Sequence, residues 1–140
     1  MHTQVYLFFD GRLDEALAFY KKTLGIEVEF MMRFKDNPEA AKHPESCPPG
    51  AEDKIMHSSF KLGGQSVMAS DGFAKGNPEF KGFALSLSVK TEGEADKLFA
   101  ALSEGGKVEQ PLIKTFFSPK FGMLQDKFGV GWMVVVEQPM

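Results

Sequence analysis

The sequence predicts an α+β fold of two βαβββ modules, and three observations carry that expectation. Segments of strand-like and helix-like periodicity recur twice in the order strand, helix, strand, strand, strand. Glu15-Ala16 and Glu94-Ala95 open the two helical segments about eighty residues apart. Each helix then runs into glycine and is followed by a Val-Glu pair, Val28-Glu29 and Val108-Glu109. A repeated order with little shared identity points to one domain, 1–140, built by an internal duplication of approximately 1–72 and 80–140.

Gln4-Val5-Tyr6-Leu7-Phe8-Phe9 alternates like a strand and stops at the turn signal Asp10-Gly11. Leu13, Ala16, Leu17, Tyr20 and Leu24 recur at helical spacing, and Gly25 supplies the stop. A second strand over 27–34 alternates Val28, Phe30, Met32 and Phe34 with Glu27, Glu29, Met31 and Arg33. Residues 35–54 then break the pattern with Pro38, Pro44, Pro48, Pro49 and Gly50, which predicts a long loop without regular structure. Strands over 55–62 and 66–70 flank Gly63-Gly64, a two-residue hairpin turn.

After a loop over 71–81 the order begins again. Phe83, Leu85, Leu87 and Val89 alternate with Ala84, Ser86 and Ser88. Ala95, Leu98, Phe99 and Leu102 mark the second helix, ended at Gly105-Gly106. Residues 107–114 form a strand that Pro111 confines to an edge or a bulge. Strands over 122–125 and 132–136, joined through Asp126-Lys127-Phe128-Gly129, complete the second set.

Composition excludes several classes. A net charge of −3 argues against a nucleic-acid partner, which a basic surface would have to hold. No apolar run reaches the roughly 18 residues that would span a bilayer, and no export-type leader opens the chain. The lone cysteine, Cys47, cannot close an internal disulfide, so a reducing, cytoplasmic location is expected. Fourteen Phe and eight Met suit an irregular core or an adaptable pocket.

The segment Glu15-Ala16-Leu17-Ala18-Phe19-Tyr20-Lys21-Lys22-Thr23-Leu24-Gly25 resembles the E-A-x-x-F-Y-x-x-x-L-G helix of the glyoxalase/bleomycin-resistance families, the vicinal oxygen chelate superfamily. It looks most like the PhnB-like branch, often labelled 3-demethylubiquinone methyltransferase-like. Cys47-Pro48-Pro49-Gly50, Gly63-Gly64 with Ser70-Asp71, and Asp126-Lys127-Phe128-Gly129-Val130-Gly131-Trp132-Met133 extend the likeness over essentially the whole chain. The resemblance implies curled mixed sheets around a central cavity with the helices outside. Phe83, Leu85, Leu87 and Val89 should then face a helix, as should Met56, Phe60 and Leu62. Gln4, Tyr6, Phe8, His57, Ser59, Met68, Ala84, Ser86, Ser88, Met133 and Val135 should face the cavity. Open sheet edges and the 35–54 arm lead to the expectation of a homodimer.

Metal-dependent members of the superfamily converge four ligands, and their equivalents here are Gln4, Met68, Ala84 and Met133. Only Gln4 could serve a hard or borderline cation, so neither a metal nor another cofactor is expected. His57 between polar neighbours is read as a general base or a lining residue, with no nucleophile and orienting group beside it. Cys47 has no evident basic partner. Phe116, Phe117 and Phe121 are equally suited to stacking on a ligand and to sealing a contact. A methyltransferase lacks its glycine-rich strand-to-helix loop in a doubly wound order. The leading expectation is a protein that binds or sequesters a small apolar or aromatic molecule through Gln4, Tyr6, Phe8, His57, Ser59, Met68, Ser86, Ser88 and Met133. The alternatives are a lyase, isomerase or transferase with an atypical site, and an assembly protein with a vestigial cavity.

Overall fold

A computed structural model describes residues 1–138 as two compact units, one over Met1–Pro78 and one from Glu79 onward. The first contains β1 (Tyr6–Phe8), α1 (Leu13–Leu24), β2 (Glu27–Arg33), β3 (Ile55–Leu62) and β4 (Gln65–Ser70). Its sheet runs in the order β1-β4-β3-β2, with β1 parallel to β4 and the other pairs antiparallel. The second contains β5 (Leu85–Val89), α2 (Glu92–Ser103), β6 (Lys107–Ile113), β7 (Phe121–Gln125) and β8 (Gly131–Val136). Its order, β5-β8-β7-β6, repeats the arrangement, again with the first strand parallel to the last. The expected α+β fold with two βαβββ sets is present.

Each sheet buries one face under its own helix. In the first unit Leu7, Ser58, Phe60, Val67 and Ala69 are buried, and the ring of Tyr20 on α1 lies 6.5 Å from that of Phe60. In the second, Leu124, Trp132, Val134 and Val136 are buried on the side that meets α2. Gly122 sits there because a Cβ would come within 2.7 Å of the Phe99 ring. Burying each large side chain contributes roughly 1.5–3 kcal/mol, so the alternation chooses the face.

Two buried aspartates tie the turns. Asp71 Oδ1 accepts from the N–H groups of Gly11 (3.0 Å) and Leu13 (2.9 Å), and Oδ2 accepts from Ile55 N–H (2.7 Å). Arg12, the residue before α1, supplies no side-chain cap, so Asp71 satisfies the helix N-terminus from across the fold. Asp126 acts locally: Oδ1 accepts from Phe128 and Val130 N–H, and Oδ2 from Trp132 Nε1 (2.9 Å).

Several expectations need correction. Residues 35–54 are not structureless: single 3-10 turns occupy Phe34–Asp36 and Pro44–Ser46, and Phe34 and Ala51 are buried. The excursion is closed at its base by Phe34 N–H to the Lys54 carbonyl and Lys35 N–H to the Glu52 carbonyl, both 3.0 Å. Arg33 reinforces the closure, reaching the Asp53 carbonyl (2.6 Å) and gripping both oxygens of Asp14. Phe83 lies before β5 and is exposed rather than packed on a helix. The alternation expected in β2 is interrupted by register shifts between Val28 and Phe30 and between Met32 and Arg33. Pro111 falls within edge strand β6, at a register shift, as its missing N–H requires.

Candidate functional site

The face of the first sheet opposite α1 is built from one cross-strand row. Tyr6 pairs with Met68, Met68 with Ser59, and Ser59 with Phe30. His57 and Phe8 extend the same face, two residues along their strands from Ser59 and Tyr6. The rings form a run: Phe8 to Tyr6 centroids 5.0 Å, Tyr6 to His57 5.6 Å, His57 to Phe30 5.9 Å. The Tyr6 hydroxyl lies 2.9 Å from His57 Nδ1, which orients both side chains. Phe8 and Phe30 remain 56% and 47% exposed, a large apolar area to leave in water.

Beside the rings lies a carboxylate. The register shift at Val28/Phe30 leaves Glu29 unpaired in the ladder, as in a β-bulge. Its Oε1 accepts from Ser66 Oγ (2.8 Å) and Ser59 Oγ (3.0 Å). These hydroxyls, Ser66 first, hold the Glu29 carboxyl below the usual glutamate range, with the Lys61 charge as a lesser aid. Burial opposes the shift weakly.

The expected site residues therefore divide three ways. Tyr6, Phe8, His57, Ser59 and Met68 share the open face of the first sheet. Gln4 precedes β1 and is exposed, because the strand begins only at Tyr6. Ser86, Ser88 and Met133 share the corresponding face of the second sheet, where Ser86 pairs with Met133 and Met133 with Met123. That face carries Ser86 and Ser88 exposed, and Phe121, paired with Val135 beside them, begins a second ring run through Phe117 to Phe116. Glu29 and Phe30 were missed: strict alternation sets them on opposite faces, and a bulge leaves no signature in spacing alone.

Hollows also lie elsewhere among the described residues. One of ≈560 Å³ in the first unit is lined by Pro44, Glu45, Cys47, Pro49, Phe73 and Lys75 among others. Cys47 Sγ faces the Pro48 carbonyl at 3.4 Å, and the nearby His43 is engaged with Glu45. A smaller hollow of ≈220 Å³ in the second unit includes Phe80, Phe83, Ala84 and Met123. Phe116, Phe117 and Phe121 stack edge to face with centroids 5.2 Å apart in each pair, and Phe116 is almost fully exposed.

The metal positions of the superfamily do not fit a metal here. Thioethers at Met68 and Met133 and a methyl at Ala84 offer no hard or borderline donor. Among the described residues no three His, Cys, Asp or Glu side chains are grouped as a metal centre would need.

The sequence profile of the family described as 3-demethylubiquinone-9 3-methyltransferase matches residues 2–135. The chain belongs to that family. It is 36% identical to Protein YjdN of Escherichia coli K12, over 96% of this chain and 95% of that one. The crystal structure of protein PA1353 from Pseudomonas aeruginosa superposes with a TM-score of 0.83 at 41% identity, covering 99% of both chains. The PhnB protein of Bacillus cereus follows with a TM-score of 0.79 and 31% identity, over 97% of this chain and 99% of its own. A glyoxylase/bleomycin resistance protein/dioxygenase domain from Frankia shares the fold at 18% identity, with a TM-score of 0.63 over 98% of this chain and 95% of that one. The family thus sits within the glyoxalase/bleomycin-resistance fold that the α1 motif resembles. Its methyltransferase description finds no doubly wound sheet with a glycine-rich loop among the described residues.

Proposed function

We propose that the chain is a metal-free binding protein for a small apolar or aromatic molecule. One observation carries this reading: the run Phe8, Tyr6, His57, Phe30 stays open on the helix-free face of the first sheet. Rings left exposed beside oriented polar groups are what a ligand surface requires, since apolar area supplies affinity and a few hydrogen-bonding groups supply orientation. Met68 lies in the row between Tyr6 and Ser59 and adapts its shape to what lies above it. Ser86, Ser88 and Met133 offer small polar and adaptable groups on the corresponding face of the second sheet, and Gln4 stands at the approach to β1.

Native mass spectrometry of freshly purified protein tests the reading. A small-molecule adduct without metal is expected. A near-unit divalent metal that survives desalting, or failure of every compound in an apolar and aromatic library to raise Tm, would overturn it. Ser86→Leu gives a second test. On an open face it leaves stability within about 0.5 kcal/mol. In a filled core it would overpack and lower stability by about 1–3 kcal/mol.

We further propose a cytoplasmic homodimer of a single duplicated domain. Both sheets keep unpaired outer strands, β1 and β2 in one and β5 and β6 in the other, and open edges in water call for a cover. A monomer by light scattering at micromolar concentration would defeat the dimer. No helix among the described residues is long and apolar enough to cross a membrane.

A further inference from the structure

Resting on the ligand reading above, we propose that the open face of the first sheet selects an organic cation: an ammonium group carried on an apolar or aromatic body. Glu29 Oε1 takes both serine hydroxyls, Ser59 at 3.0 Å and Ser66 at 2.8 Å. Among the described residues no hydrogen-bond donor or ion-pair partner is placed on Oε2. The carboxylate is thus oriented, held ionised by its hydrogen bonds, and left with one oxygen to offer.

Its position supplies the second half. Ser59 belongs to the row that carries Tyr6, Met68 and Phe30, and Ser66 lies two residues from Met68 on the same face. A group bound at Oε2 therefore lies beside Phe30, the end of the ring run that continues through His57 and Tyr6 to Phe8. Aromatic faces attract a cation through the ring quadrupole, most strongly when water is displaced. A carboxylate adds Coulomb attraction for the same charge and repels an anion. Lys61 acts on Glu29 through its charge without hydrogen-bonding it, so it does not occupy the carboxylate. Neutral ligands would gain the rings alone.

The test compares phenyltrimethylammonium with its neutral isostere tert-butylbenzene, using the full chain and NMR titration of the aromatic resonances. The cation should bind at least about tenfold more tightly than the isostere and shift the Phe30 resonances most. Glu29→Gln keeps an acceptor for both serines, so the fold should persist while the preference for the cation disappears. Phe30→Ala should weaken both probes. Equal binding of both probes, unaltered by Glu29→Gln, overturns the charge selection and leaves the apolar-ligand reading standing. Absence of binding by either probe overturns both.

Discussion

The N-termini of the two helices are satisfied by opposite means. α2 is capped by its own neighbour: Thr91 Oγ accepts from Glu94 N–H at 3.1 Å. α1 is capped by Asp71, which is 58 residues from Leu13 and lies just after β4. Both devices silence the same orphan donors, yet only one couples the helix to the rest of its unit. The Asp71 carboxylate also holds Ile55 at the start of β3, so the β1–α1 turn, the helix and that strand share one acceptor. A local cap stabilises a helix, whereas a distant one makes helix and sheet unfold together.

Removing the distant cap should have the largest effect. Asp71→Ala strands three backbone N–H groups, two of them in fully buried hydrogen bonds, at about 1–3 kcal/mol for each unsatisfied group. A loss of about 3–5 kcal/mol by chemical denaturation is expected, with hydrogen-exchange protection falling together in α1 and the start of β3. If protection falls in α1 alone, the coupling is refuted. The second unit's buried aspartate provides the intermediate case. Trp132→Phe removes the indole N–H from Asp126 Oδ2 and some buried volume, yet Phe128 and Val130 still hold Oδ1. About 2 kcal/mol should be lost, confined to the second unit. A change in α1 protection would contradict that confinement. Thr91→Ala should be milder, at about 1 kcal/mol, because water reaches the exposed end of α2.

The same contrast explains what could be read from the sequence. Strand and helix periodicities located every element to within a few residues, because one-sided burial writes period 2 or 3.6 directly into the chain. The family resemblance gave the faces their direction, and Tyr6, Phe8, His57, Ser59 and Met68 do share one face of the first sheet. What escaped was non-local or non-periodic. Asp71 was visible as part of a family motif, but nothing in spacing says that it caps a helix 58 residues earlier. The β2 bulge reversed the expected relation of Glu29 to Phe30 and so concealed the carboxylate beside the rings. Phe83 read as core only because alternation ran on past the point where pairing begins at Leu85.

The smallest expected effect concerns a second distant tie on α1. Arg33 at the end of β2 grips Asp14 with two hydrogen bonds, 2.9 and 3.0 Å. The second unit instead joins α2 to the approach of β7 through a single Lys120–Asp96 contact of 2.5 Å. The Arg33 hydrogen bond, more than its charge, lowers the Asp14 carboxyl below its ordinary 3.8, against a weaker opposing push from burial. The folded state therefore prefers the ionised form. The pair's contribution is fully present above the unfolded carboxyl range and fades as pH falls through the depressed value. Asp14 is half exposed, so solvent screening keeps the pair to at most about 1 kcal/mol. Asp14→Asn should lower Tm slightly at neutral pH, and the gap from the parent should close as pH falls through the depressed value and the parent aspartate is protonated too. Glu29 and Asp53 are lowered too, by the Ser66 and Lys35 hydrogen bonds first, so Tm should fall with acid in parent and variant alike. The gap is the diagnostic quantity. If it is the same at neutral pH and in strong acid, Asp14 acts through packing or helix propensity, and the ion pair is not what joins α1 to β2.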